Sequence, residues 1–126
     1  MLVQMIAKPR TVHFTVPAVE GIETPIFWSE PITARLSNPV LAVSAPLDSD
    51  GSLHVTILVE SNTWVWQDFE PSDLPSGGEY NLEPSGEPEP LYNGGLLVVG
   101  ALYSTTGTAN FAFVTIKFTL VPIGLI

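Results

Sequence analysis

The sequence predicts an all-β protein, an antiparallel β-sandwich or jelly roll of about eight strands, and three observations carry that prediction. Apolar and polar residues alternate with a period of two through most of the chain. Clusters of Gly, Asn, Asp and Ser separate the alternating stretches, as turns do. No stretch of helical length shows a 3.6-residue period. At 126 residues the chain is expected to form one domain spanning 1–126.

The first candidate strand, Leu2–Ala7, is short and apolar. In Thr11–Val16, Val12, Phe14 and Val16 form the apolar face and Thr11, His13 and Thr15 the polar one. Ile32–Leu36 and Val40–Ala45 read as two further strands. Ser52–Glu60 places Leu53, Val55, Ile57 and Val59 on one face, with His54, Thr56, Leu58 and Glu60 on the other. Thr63–Trp66 follows at once, with Trp64 and Trp66 expected on a shared face. Leu96–Ser104 is apolar on both faces as far as Tyr103, which suits a central strand. The last strand, Asn110–Val121, carries Ala112, Val114, Ile116, Phe118 and Leu120 on its inner side.

Turn chemistry joins these strands. Ser61-Asn62 fits a two-residue hairpin, Asp48-Ser-Asp-Gly-Ser52 reads as another, and Thr105-Thr106-Gly107 is expected to close a third into the last strand. Asp68–Pro90 breaks the pattern. It holds seven of the thirteen acidic residues and five of the twelve prolines, so neither a helix nor a central strand fits it. Residues 68–92 are therefore expected to be a long acidic, Pro-rich loop or arm. Such loops in small domains usually serve a function.

Composition narrows that function. The net charge is −9, and neither Lys nor Arg occurs between Arg35 and Lys117, which argues against nucleic acid and anionic membranes as partners. With no cysteine, disulfides and Cys-ligated metals are excluded. The N-terminal stretch lacks the charge order of a signal peptide, and no apolar run approaches the ~20 residues of a membrane-spanning helix, so a soluble chain is expected. Charged residues make up 13% of the chain, about half the usual share, which suggests surface covered by other subunits.

Candidate chemistry is sparse. Asp48-x-Asp50-Gly51 begins like a calcium loop, but Val59 stands where the twelfth-position acid belongs. His13 and His54 are isolated on polar strand faces, without metal-ligand spacing. Glu60, Asp68 and Glu70 near Trp64 and Trp66 resemble the contents of a sugar cleft, and Glu60 or Asp68 would serve a small hydrolase. No phosphate cradle, nucleophile elbow or zinc-protease motif occurs. No catalytic, cofactor or metal residue is assigned.

Both ends are apolar, and Leu2, Val3, Pro122, Ile123, Leu125 and Ile126 are expected to contact a partner. Phe69, Leu74, Tyr80, Leu82, Leu91 and Tyr92 recur through the acidic segment as anchors for the same purpose. Low charge, apolar ends and a long arm together predict a non-enzymatic structural subunit. It would be a homo-oligomer, with a trimer as one such state, docking with other structural proteins. The most concrete version is a viral capsid decoration or cement subunit located in the virion, an analogy of general character. The alternative is a carbohydrate-binding or adhesin-type module with Trp28, Trp64, Trp66 and Tyr92 as its stacking platform.

Overall fold

A computed structural model describes residues 10–20, 25–28, 33–43, 51–70, 79–92, 95–104 and 111–123. Among them are eight strands and no helix: β1 (Arg10–Glu20), β2 (Ile26–Trp28), β3 (Ala34–Val43), β4 (Ser52–Val59), β5 (Asn62–Phe69), β6 (Glu79–Asn81), β7 (Leu97–Ser104) and β8 (Phe111–Pro122). The hydrogen-bonded order is β5-β4-β7-β1-β8-β3-β6, with β2 pairing β7 off that path.

β1 joins the two halves. It runs antiparallel to β8 from Arg10 to Val19, and its end, Val19 and Glu20, pairs parallel with Leu102 and Tyr103 of β7. The same edge of β7 carries β2 at Leu97–Val99, because β4 occupies the other edge throughout. The sheet thereby folds over into a β-sandwich, β5-β4-β7-β2 against β1-β8-β3-β6. Across its core, Trp64 of β5 meets Phe118 of β8 edge-on, with ring centroids 6.3 Å apart.

Alternation fills this core as expected. Leu53, Val55, Ile57 and Val59 of β4 are fully buried, as are Val114, Ile116 and Leu120 of β8 and Val16 of β1. Each such side chain contributes about 1.5–3 kcal/mol by leaving water. Pro17 lies within β1, where the strand has β8 on one side and meets β7 only from Val19. A proline nitrogen facing the open side breaks no ladder bond.

Ile32–Leu36 and Val40–Ala45 prove to be one strand, β3, bent by a bulge. Ser37 opposes Thr119 and Val40 opposes Lys117, so three residues of β3 span two of β8. Asn38 takes the left-handed conformation there (φ 52°), which Asn tolerates better than most residues. Two expected hairpins do not form. β3 and β4 lie in opposite halves, and β1 separates β7 from β8. Local turn residues report a change of direction, but which strand pairs next is decided by the global topology. Leu2–Ala7, Asp48, Asp50 and Thr105–Gly107 fall outside the described residues.

The β4–β5 hairpin does form. Its turn residues are Glu60 and Ser61, one position earlier than expected, with Val59 opposite Asn62. Both have positive φ, 51° and 69°, as a two-residue hairpin of the type I′ kind requires.

The described residues of the acidic segment are part of the fold. β5 runs on through Asp68 and Phe69, and Glu79–Asn81 forms the edge strand β6 against β3. From there residues 82–92 run as a strap over the open side of the sandwich. The Leu82 N–H donates to Pro39 O (2.8 Å) and that of Ser85 to Trp64 O (2.8 Å), while Leu91 and Ala34 exchange backbone bonds of 2.8 and 2.9 Å. The Glu83 N–H donates to Gln67 Oε1 (2.8 Å). Leu82 and Leu91 are buried in the common core.

Two stability outcomes follow from these elements. Leu91→Ala is expected to cost about 2–5 kcal/mol by urea unfolding, the range for a core leucine; a loss within experimental error would place the strap outside the folding unit. Ser61→Gly relieves a left-handed non-glycine residue and is expected to stabilise by about 0.5–1 kcal/mol, after allowance for glycine's extra unfolded-state entropy. That gain is read as a rise of roughly 2–4 °C in Tm, and a fall would show that the turn carries no strain.

Candidate functional site

The β4–β5 pairing decides what the outer face presents. Leu58 opposes Thr63 but Ile57 opposes Val65, so Trp64 has no partner on β4 and forms a bulge. Past a bulge the alternation changes phase. Trp64 and Val65 are consequently both buried, whereas Trp66 points outwards and is 64% exposed. The shared face expected for Trp64 and Trp66 is therefore corrected: one is core, the other surface.

The same shift sets Asp68 opposite His54 and Trp66 opposite Thr56. Asp68 Oδ1 lies 2.8 Å from His54 Nδ1, and His54 Nε2 lies 3.1 Å from Thr56 Oγ1. A carboxylate only accepts, so in the neutral ring Nδ1–H donates to Asp68 and Nε2 accepts from the Thr56 hydroxyl. The indole of Trp66 stands edge-on to the imidazole at 4.5 Å between centroids. Ser52, Leu102 and Ser104 complete a shallow depression around these groups.

Carboxylate, imidazole and hydroxyl occur here in the order of an acyl-transfer triad. A nucleophile must also reach its substrate, and Thr56 is only 1% exposed. What the chain of bonds achieves is orientation: it fixes the His54 ring and, through it, the Trp66 indole. Nor do Glu60 and Asp68 form a glycosidase pair. Glu60 precedes β5 and Asp68 is near its end, about 20 Å away at the rise of a strand, well beyond the spacing that glycoside hydrolysis uses. The Glu60 carboxylate instead accepts from the Tyr92 N–H (3.3 Å). No group of three or more His, Asp or Glu among the described residues is placed to hold a metal ion.

A second feature is one end of the sandwich. Arg10 pairs with Leu120, Pro122 pairs with Ala34, and Ala34 bridges to Leu91, so the start of β1, the end of β8 and the strap's end meet there. The β4–β5 turn reaches the same end, since the Glu60 N–H donates to Leu96 O (2.9 Å) and Glu60 holds Tyr92. Gly95 fits this corner because a Cβ would collide with the Glu60 carboxylate and approach the Tyr92 carbonyl oxygen to 2.7 Å. Tyr92, Leu96 and Ile123, three of the large apolar side chains that are exposed, all belong to it.

A third feature is a pocket beneath the strap, about 380 Å³ in volume, between β3, the Trp64 bulge, residues 84–88 and the end of β8. Arg35 reaches from β3 to Glu87 of the strap at its rim. Lys117 makes a similar pair with Glu79 on the outer face of β8.

The anchors expected to grip a partner divide accordingly. Phe69, Leu82 and Leu91 are buried in their own domain, and the half-buried Tyr80 packs against the same core, where the strap closes the sandwich. Tyr92 and Ile123 are exposed and Pro122 half-buried. Leu2, Val3, Leu74, Leu125 and Ile126 lie outside the described residues. As a four-residue sugar platform, Trp28, Trp64, Trp66 and Tyr92 do not assemble: Trp64 is buried, and Tyr92 sits by the β4–β5 turn, away from Trp66 on the outer face. For Trp28 only the backbone is described, in β2. Sequence reasoning missed the His54–Asp68 pair, whose register depends on the bulge, and the Arg35–Glu87 closure, whose partners are 52 residues apart.

The sequence matches no protein-family model and no curated protein. Among solved structures the chain is similar to the VP2 subviral particle of infectious bursal disease virus, with 12% identity and a TM-score of 0.45 over 93% of this chain and 34% of that one. Structures of the Gx and Gt strains of the same virus match with TM-scores of 0.43 and 0.42, at 12% and 11% identity, each over 94% of this chain and 33% of the other. The chain spans about a third of the length of these chains.

Proposed function

We propose that this chain is a non-enzymatic structural subunit that assembles with copies of itself, most concretely as a virion subunit of the capsid decoration or cement type. The observation that carries the reading is the apolar end, where Tyr92 (56% exposed), Leu96 (39%) and Ile123 (47%) lie by the start of β1, the end of β8 and the β4–β5 turn. Large apolar side chains grouped in this way mark contact surfaces. The Tyr92 N–H donates to the Glu60 carboxylate and the Leu96 carbonyl accepts from the Glu60 N–H, so both backbones are tied to the tight turn and little entropy is lost when a partner covers them. Light scattering across micromolar concentrations is expected to give an oligomer. Replacing Tyr92 and Ile123 together by Glu is expected to weaken association at least about a hundredfold, or roughly 2.7 kcal/mol, with the unfolding midpoint little changed. A wild-type chain that stays monomeric throughout would overturn the reading.

Trp66 favours a second reading, a carbohydrate-binding module in which one indole, rather than four aromatic residues, supplies the stacking surface. It is exposed, fixed edge-on to His54, and ringed by the polar groups of Ser52, Asp68 and Ser104. On a glycan panel this reading expects quenching of tryptophan emission that Trp66→Ala abolishes. Silence across the panel would remove it.

A further inference from the structure

One half of the sandwich is built without lysine or arginine. Its strands β2, β4, β5 and β7 contain neither, whereas β1, β3 and β8 carry Arg10, Arg35 and Lys117. The Asp68 carboxylate on that half is 76% exposed, and among the described residues only its Oδ1 is engaged, by His54 Nδ1. Oδ2 is left free to accept. Trp66 stands two residues before it on the same outward face, about 7 Å away along the strand. Its indole is 64% exposed, so a ring face is open to solvent. That face is electron-rich and attracts a cation within about 6 Å of the ring centre.

The spacing selects among ligands. An anion meets Asp68 and finds no Lys or Arg on these strands to offset it. The compact ammonium of a lysine sits over the indole or against the carboxylate, since one point charge cannot fill two places about 7 Å apart. The guanidinium of arginine is planar with donors along its edge, so it stacks on the ring while an edge N–H reaches Oδ2. Leu102 offers an apolar surface for the stem, and Ser52 and Ser104, which oppose each other across β4 and β7, supply further acceptors at the rim. The bonds that hold His54 between Asp68 and Thr56 are made before any ligand arrives, so the platform is already ordered.

We propose that this depression is a docking site for an arginine side chain of a partner protein, stacked on Trp66 and hydrogen-bonded to Asp68. The chain's net charge of −9 favours a basic partner. The proposal does not rest on the sugar reading of Trp66: a neutral sugar stacks on the ring without calling on the carboxylate's charge, and charge alone separates the two.

Nitrogen-15 NMR of the full chain reads the Trp66 indole N–H signal, assigned by its loss in Trp66→Phe. N-acetylarginine amide is expected to move that signal saturably in the millimolar range. The citrulline analogue, its neutral isostere, is expected to bind at least about tenfold more weakly, and the lysine analogue about threefold more weakly. Asp68→Asn keeps an acceptor for His54 but removes the charge, and is expected to weaken arginine binding about threefold to tenfold. A Trp66 signal that ignores arginine, that follows citrulline equally, or that responds undiminished in Asp68→Asn would overturn the proposal. So would choline or the lysine analogue binding as tightly as arginine, which would make this an ammonium site. Should Asp68→Asn fail to fold, the contrast between arginine and citrulline on the wild-type chain decides alone.

Discussion

The extra residue in β5 is the constraint on which most of the surface chemistry depends. Without a bulge at Trp64, the tight turn at Glu60 and Ser61 would set His54 opposite Gln67, and Trp66 would point inwards beside Ile57 and Val55. With the bulge, Trp64 keeps its place in the core against Phe118, and every later residue of β5 changes face. Trp66 and Asp68 thereby reach the outer surface together with His54. A single register shift thus supplies the aromatic–imidazole platform on the outer surface and leaves Trp64 inside.

Closure is the second requirement. A sandwich made by folding one sheet has a hydrogen-bonded side, here the parallel contact of β1 with β7, and an open side between β5 and β3. On the open side the strap supplies Leu82 and Leu91 as plugs and gives backbone bonds to both halves, to Trp64 O on one and to Pro39 and Ala34 on the other. Its prolines at 84, 88 and 90 restrict the unfolded segment, which reduces the entropy lost on docking. Its carboxylates at Glu83, Glu87 and Glu89 are exposed, so an acidic sequence and a structural role are compatible. Acidic character described the outer side of the segment, and the leucines described its inner side.

The sequence revealed what alternation can encode. The inner faces of β1, β4 and β8 were legible because they are regular strands whose partners impose no change of phase. Trp64 and Trp66 were misread because a bulge leaves no composition signature, unlike the Asn38-Pro39 break in β3, where two strands were expected in place of one bent strand. The strands β2 and β6 are three residues each, too short to show any period. The false hairpins share one cause: β1 crosses between the halves, and no turn in β3, β4, β7 or β8 records where β1 will lie. Of the candidate sites, the apolar character of Tyr92 and Ile123 was legible, whereas the pocket and the His54–Asp68 pair depend on pairings between distant parts of the chain.

The turn at Glu60 and Ser61 connects these features to the apolar end. Both residues occupy the left-handed region, where Asn and Gly would be less strained, so the local sequence is not the best one for a hairpin. Glu60 has a compensating contact that neither Asn nor Gly could make at the same reach: its carboxylate accepts the Tyr92 N–H where the strap ends. The Glu60 N–H in turn holds Leu96 O at the start of β7, and Gly95 leaves room for the carboxylate between them. Strain in two turn residues is therefore coupled to the placement of Tyr92 and Leu96 on the surface. A turn built for stability alone would be relaxed, whereas Glu60 at this position makes physical sense if the placement of those two exposed side chains matters. The same contact fixes one end of the strap that forms the pocket wall, so the apolar end and the pocket share a single support.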